Sequence, residues 1–96
     1  MKTLAEIKTI LSEHKPEFEK KYRVKSMGIF GSFAREEATE KSDIDILVEF
    51  NYPVGMEFIM LALHLEDMFE EKVDIVSRGG IKEKYFKEIE PDIVYV

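Results

Sequence analysis

Asp43 and Asp45 stand one residue apart at the head of the apolar run Ile44, Ile46, Leu47 and Val48. A strand alternates its side chains between two faces, so both carboxylates point one way while Ile44, Ile46 and Val48 point the other. Their Cα atoms then lie roughly 7 Å apart, near enough for both to converge on one cation. A third carboxylate, Asp74, is the second residue of Val73-Asp-Ile-Val76, and it shares that pocket if the two strands are neighbours. Hard carboxylate oxygens suit magnesium, which takes one or two of them together with substrate phosphates. Two such ions clamp the attacking and leaving oxygens of an in-line phosphoryl displacement, and a nearby carboxylate takes the proton from an attacking hydroxyl.

Gly31-Ser32 lies upstream, where an apolar strand passes into a helix. Glycine lets backbone approach a phosphate closely, and backbone N–H groups at such a turn cradle anions. Ser32 adds a hydroxyl, and Arg35, one turn on, reaches for a triphosphate oxygen or pairs with Glu36 or Glu37. Each residue alone has a plainer reading: Asp43 as a loop-ending residue, Asp74 as a polar strand edge, Gly-Ser as an ordinary turn. Asp45 is harder to explain so, because an unpaired charge in an apolar strand is costly. Taken together the set points to metal-dependent chemistry on a nucleotide. Ser42 reads as a loop-shaping residue, His14 and His64 as structural, and Arg78-Gly-Gly80 as a turn.

Eight elements would position these residues. Thr3 and Glu6 form a capping box before a helix over 3–14 that carries Leu4, Ile7, Leu11 and His14 at helical spacing. Pro16 predicts a kink or break at His14–Lys15 before Phe18 and Tyr22 extend the same face. Val24–Phe30 reads as the first strand, Ser32–Glu37 as a short helix with Ser32 at its N-cap, and Asp43–Phe50 as the second strand. Asn51-Tyr-Pro-Val-Gly55 is a turn cluster. Met56–Lys72 reads as the longest helix, with Glu57, His64, Asp67 and Glu71 as its wet stripe and Met60 falling inside that stripe. Val73–Val76 is a third strand, Ile81–Glu90 a helix with Ile81, Tyr85, Phe86 and Ile89 inward, and Ile93–Val96 a last strand. The order α–β–α–β–α–β–α–β gives an α/β (α+β) fold with one small mixed sheet flanked by helices, since the connection between the first two strands is too short to guarantee a parallel crossover.

A chain of 96 residues with 45% apolar content makes one domain, 1–96, with a modest core. The near-continuous apolar run Phe58–Leu65 is far shorter than a bilayer span, the N-terminus breaks into charge at once, and cysteine is absent. A cytoplasmic address is the expectation. A net charge of −6 argues against direct nucleic-acid binding, which needs clustered Lys and Arg, but agrees with a nucleotide handled through cations.

Gly31-Ser-Phe-Ala-Arg35, then Ser42-Asp-Ile-Asp-Ile46, then Val73-Asp-Ile-Val76 resembles the nucleotidyltransferase fold of the DNA polymerase beta superfamily, and most closely its minimal nucleotidyltransferase (MNT) branch. The resemblance spans almost the whole chain. It implies that Asp43, Asp45 and Asp74 bind two Mg2+ ions and are the catalytic carboxylates, that Gly31 and Ser32 hold the triphosphate, and that the reaction moves a nucleoside monophosphate from ATP to a hydroxyl with release of pyrophosphate. It further implies a HEPN-domain toxin as partner in a hetero-oligomer, with this chain as the antitoxin that adds AMP to a toxin tyrosine. Family members often carry Gly after the Arg; here Glu36 stands there, and a carboxylate near a triphosphate is repulsive.

Two functional classes follow. In one, the protein is an adenylyltransferase acting on a protein hydroxyl. In the alternative, it is a non-catalytic antitoxin that neutralises its partner by complex formation. The broad apolar face of the helix over 56–72 is the expected contact surface in either case.

Overall fold

The structure, a computed structural model, describes residues 2–96. Helix α1 (Leu4–Tyr22) opens with the expected capping box: Thr3 Oγ1 accepts from the Glu6 N–H, and the Thr3 N–H donates back to Glu6 Oε1. It runs without interruption through Pro16, contrary to the break expected at His14–Lys15. Proline removes one intrahelical bond, to the carbonyl of Ser12; Ser12 is exposed, so water can satisfy that oxygen. The buried face Ile7, Leu11, Phe18 and Tyr22 holds the two halves in line. At 19 residues α1, not the helix over 56–72, is the longest.

β1 (Val24–Phe30), β2 (Ile44–Phe50), β3 (Val73–Ser77) and β4 (Val94–Tyr95) form one mixed sheet in the order β3-β2-β1-β4. β1 lies antiparallel to β2 and to β4, and β2 parallel to β3. The parallel pair is joined through α3 (Met56–Phe69), as a crossover requires. Ile44, Ile46 and Val48 of β2 and Met27 and Ile29 of β1 meet α1 and α3 on one face, where Leu61, Leu65 and Phe69 complete the main core. Phe30 and Leu47 pack on the other face with Phe86 of α4 (Glu83–Ile89), forming a smaller cluster.

Further details differ from the pattern read off the chain. The helix after β1, α2, spans Gly31–Ala34 and begins one residue early, because Gly31 takes φ +72°, which opens the turn; Ser32 is therefore inside it rather than capping it. β2 starts at Ile44, leaving Asp43 just before it. α3 ends at Phe69, where Glu70 adopts a left-handed conformation (φ 54°). Its outward face is Met56, Ile59, Met60 and Leu63, while His64 and Glu57 are half-buried. The polar residues found partners instead of water. His64 Nδ1 shares a 2.8 Å hydrogen bond with the Tyr22 hydroxyl, and Glu66 Oε2 accepts from the Val73 N–H at 3.3 Å. α4 is shorter than Ile81–Glu90 and gives way to a 3-10 turn, Glu90–Asp92, because Pro91 cannot continue it. Tyr85, expected inward, is 47% exposed. No helix among the described residues is long and apolar enough to cross a membrane.

Candidate active site

The site grows from the alternation of β2. With Ile44, Ile46 and Val48 committed to the main core, Asp45 must emerge on the opposite face, beside Leu47. β3 then lies parallel to β2 with Asp74 directly opposite Asp45 and Val76 opposite Leu47. Directly opposed residues of a parallel pair share a face, so the two carboxylates are neighbours. The Ile44 N–H donates to the Lys72 carbonyl at 3.0 Å, which fixes the entry of β2 against the end of the α3–β3 connection. Asp43 sits at that entry and makes a long, 3.9 Å pair with Lys72.

The polar loop before Asp43 is folded on itself. Ser42 Oγ accepts from the Thr39 N–H at 2.9 Å, and the Ser42 N–H donates to the Thr39 carbonyl at 3.0 Å. Ser42 shapes the loop, as its position suggested.

Asp45 is half-buried, and its carboxyl is raised from 3.8 to about 6. The main cause is desolvation; the charges of Asp74 and then Asp43 add to it, and Arg35 opposes. This mutual repulsion is the electrostatic signature of acidic groups converging on one place. No salt-bridge partner reaches Asp74 among the described residues. Nor do three His, Cys, Asp or Glu side chains among them form a group that could hold a metal ion as it stands. The structure thus brings Asp45 and Asp74 side by side and Asp43 within electrostatic reach, without a closed cage.

Gly31 completes the geometry. A Cβ there would collide with the Asp45 carboxylate and stand 3.0 Å from its Cγ. Both this close approach and the positive φ demand glycine. Ser32 follows in the first turn of α2, and its hydroxyl makes no hydrogen bond to another described residue. α2 ends in a Schellman closure: the Glu37 N–H donates to Ser32 O at 2.8 Å and the Glu36 N–H to Phe33 O at 3.1 Å, with Glu36 left-handed at φ 57°. That closing position is one glycine favours, and the exposed Glu36 takes the left-handed backbone there instead.

Arg35 is not free. Its Nε donates to Glu37 Oε2 at 3.2 Å, and its Nη1 lies 3.6 Å from Asp92 Oδ2 in the turn before β4. The pairing with Glu37 matches one of the two alternatives open in the sequence; Asp92 was not foreseen, since only the β1–β4 pairing brings it near. Arg78 forms the expected turn, with its guanidinium 3.7 Å from the Phe86 ring centroid and bonded to Glu83, away from the aspartates. His14 and His64 are structural: His14 Nδ1 donates to the Ile10 carbonyl, and His64 packs edge-on against Phe18.

A glycine-led turn thus stands beside paired strand carboxylates on a small mixed sheet. The nucleotidyltransferase domain model matches residues 11–94, and the chain belongs to that family. A Methanocaldococcus jannaschii relative, provisionally named a protein adenylyltransferase, is 54% identical over the full length of both chains. The protein adenylyltransferase MntA of Thermococcus cleftensis is 41% identical, covering all of this chain and 98% of its own. The protein is a nucleotidyltransferase enzyme. Among solved structures, one provisionally named a minimal nucleotidyltransferase superposes with a TM-score of 0.77 at 27% identity, covering 97% of this chain and 95% of that one. The same fold recurs in a toxin–antitoxin structure with AMP-PNP (TM-score 0.73, 17% identity, 86% of this chain and 69% of that one). It also recurs in the complex of a tri-AMPylated Shewanella oneidensis HEPN toxin with its MNT antitoxin (TM-score 0.66, 15% identity, 92% and 70%).

Proposed function

We propose that this protein transfers AMP from ATP to a hydroxyl of a cognate HEPN-type toxin, a tyrosine, and acts as the antitoxin of that pair in a hetero-oligomer. The observation that carries the reading is the register of Asp45 opposite Asp74, with Asp43 at the strand entry and the Gly31 backbone packed against the Asp45 carboxylate. The relatives named protein adenylyltransferase and the toxin–antitoxin structures of like fold support it.

The donor set fits magnesium. Its oxygens are hard, they repel one another in the absence of a cation, and Asp74 lacks a cationic partner among the described residues. Asp43, Asp45 and Asp74 would hold two Mg2+ ions, which would neutralise charge building on the phosphates. Gly31 and Ser32 offer backbone and hydroxyl donors to the triphosphate, and Arg35 stands beside them as a further anion contact. In the transfer, the acceptor oxygen bonds to the α-phosphorus, the bond to the bridging oxygen breaks, and pyrophosphate leaves. The acceptor proton passes to a carboxylate; Asp74, exposed on the edge strand, would take it. The Met56, Ile59, Met60 and Leu63 face of α3 is the surface for the partner.

The test is incubation with ATP labelled at the α-phosphate and magnesium, with and without the partner, for the wild type and Asp43→Ala/Asp45→Ala. Label on the partner with wild type alone is the expected result. A tight complex carrying no label from either protein would overturn the catalytic reading.

A further inference from the structure

Asp92 lies far from Arg35 in sequence, yet the sheet brings the two within 3.6 Å. β4 pairs antiparallel with β1, Tyr95 opposite Gly28 and Val94 opposite Ile29. The chain leading into β4 therefore approaches the end of β1, where α2 begins. The approach is enforced locally. Ile93 Cγ2 occupies the space a Cβ on Gly28 would need, and the Val96 N–H donates to the Met27 carbonyl at 3.1 Å. The 3-10 turn Glu90–Asp92, stiffened by Pro91 and closed by the Ile93 N–H to the Glu90 carbonyl, carries the Asp92 side chain to Arg35.

Arg35 receives it. Glu37 takes the Nε edge of the guanidinium and Asp92 stands at Nη1, so two carboxylates grip one cation from two elements. Nη2 has no partner among the described residues. Arg35 stands one turn beyond Gly31, its N–H donating to the Gly31 carbonyl at 3.1 Å, so its side chain springs from the turn that packs against the Asp45 carboxylate. A planar donor fork held on two sides and open on the third is an anion contact fixed in advance, and prior fixing spares the ordering cost of a long flexible side chain.

We propose that Asp92 is a positioning residue for Arg35, holding its guanidinium at the rim of the site so that the open nitrogen meets the nucleotide triphosphate. The proposal rests on the nucleotidyl-transfer reading above. Asp92 touches no reacting atom; it works through Arg35. Its effect belongs in nucleotide binding rather than in the bond-making step.

The experiment measures the KM for MgATP and kcat, the Kd for a non-hydrolysable ATP analogue, and the melting temperature. The proteins are the wild type, Asp92→Asn, Asp92→Glu, Arg35→Ala and the double variant Arg35→Ala/Asp92→Asn. Asp92→Asn is expected to raise both KM and Kd about two- to fivefold, the range of a partly exposed ion pair, with kcat unchanged. Asp92→Glu is expected to recover most of that loss. In the Arg35→Ala background, Asp92→Asn is expected to add nothing, because the residue it acts through is gone. Equal losses in both backgrounds, tighter nucleotide binding in Asp92→Asn, or a fall in kcat with KM unchanged would each overturn the proposal. A wild type that binds the analogue and transfers AMP while Asp92→Asn matches it in every constant overturns the positioning role alone. A wild type that binds no nucleotide overturns the underlying reading as well.

Discussion

Replacing Asp45 by Asn is expected to stabilise the metal-free protein at neutral pH while ending its activity. The carboxyl is raised from 3.8 to about 6 in the folded protein, so the folded state holds this proton more tightly than the unfolded chain does. Stability is therefore lost as pH rises from about 4 through 6, and the whole penalty is present above that range. At 1.36 kcal/mol per pH unit, the rise from 3.8 to about 6 corresponds to about 3 kcal/mol. Asp45 is only half-buried, and solvent screening reduces this to about 1 kcal/mol. In a domain of this size that shifts the melting temperature by about 4–8 °C. Asn keeps the shape of the side chain and removes the charge. The assay is thermal unfolding followed by circular dichroism, from pH 4.5 to 8, in EDTA and in excess magnesium. In EDTA, the advantage of Asp45→Asn over wild type should grow through pH 6 and then level off. Magnesium should raise the wild type at pH 7.5 and leave the variant nearly unmoved, shrinking or reversing the gap. Melting curves that stay parallel across the whole pH range, or a variant that melts below wild type in EDTA at pH 7.5, would refute the reasoning.

Gly31→Ala combines a left-handed φ with a Cβ that collides with Asp45, so it should cost about 1–2 kcal/mol or more in denaturant unfolding and remove AMP transfer. Glu36→Gly relieves the same backbone conformation at an exposed site and should stabilise by about 0.5–1 kcal/mol in the same measurement, without lowering transfer. Leu63→Glu places a charge on a side chain that is 61% exposed; its melting temperature should stay within a few degrees of wild type while the partner complex weakens in analytical ultracentrifugation.

Much of this was legible in the chain because it is local. The spacing of Asp43 and Asp45, the alternation of β2 and the glycine turn are all set within a few residues, and the capping box at Thr3 and Glu6 likewise. What escaped depended on partners distant in sequence. The face α3 turns outward follows from Tyr22 and Val73 satisfying His64 and Glu66, and no period within the helix reports that. Pro16 looked like a break because its missing bond is visible in sequence, whereas the buried face that holds α1 straight is not. The start of α2 moved because a left-handed glycine can lead a helix as well as end a strand. Asp92 reached Arg35 only through the pairing of a two-residue strand with β1.

The central claim is that the aspartate cluster moves AMP onto a protein partner. Co-expression with a candidate HEPN-type partner, followed by intact mass measurement of that partner, tests it most directly. Whole adenylyl increments on one partner tyrosine with wild type, and none with Asp43→Ala/Asp45→Ala, are the predicted result. An unmodified partner, still bound and neutralised by both proteins alike, would contradict it.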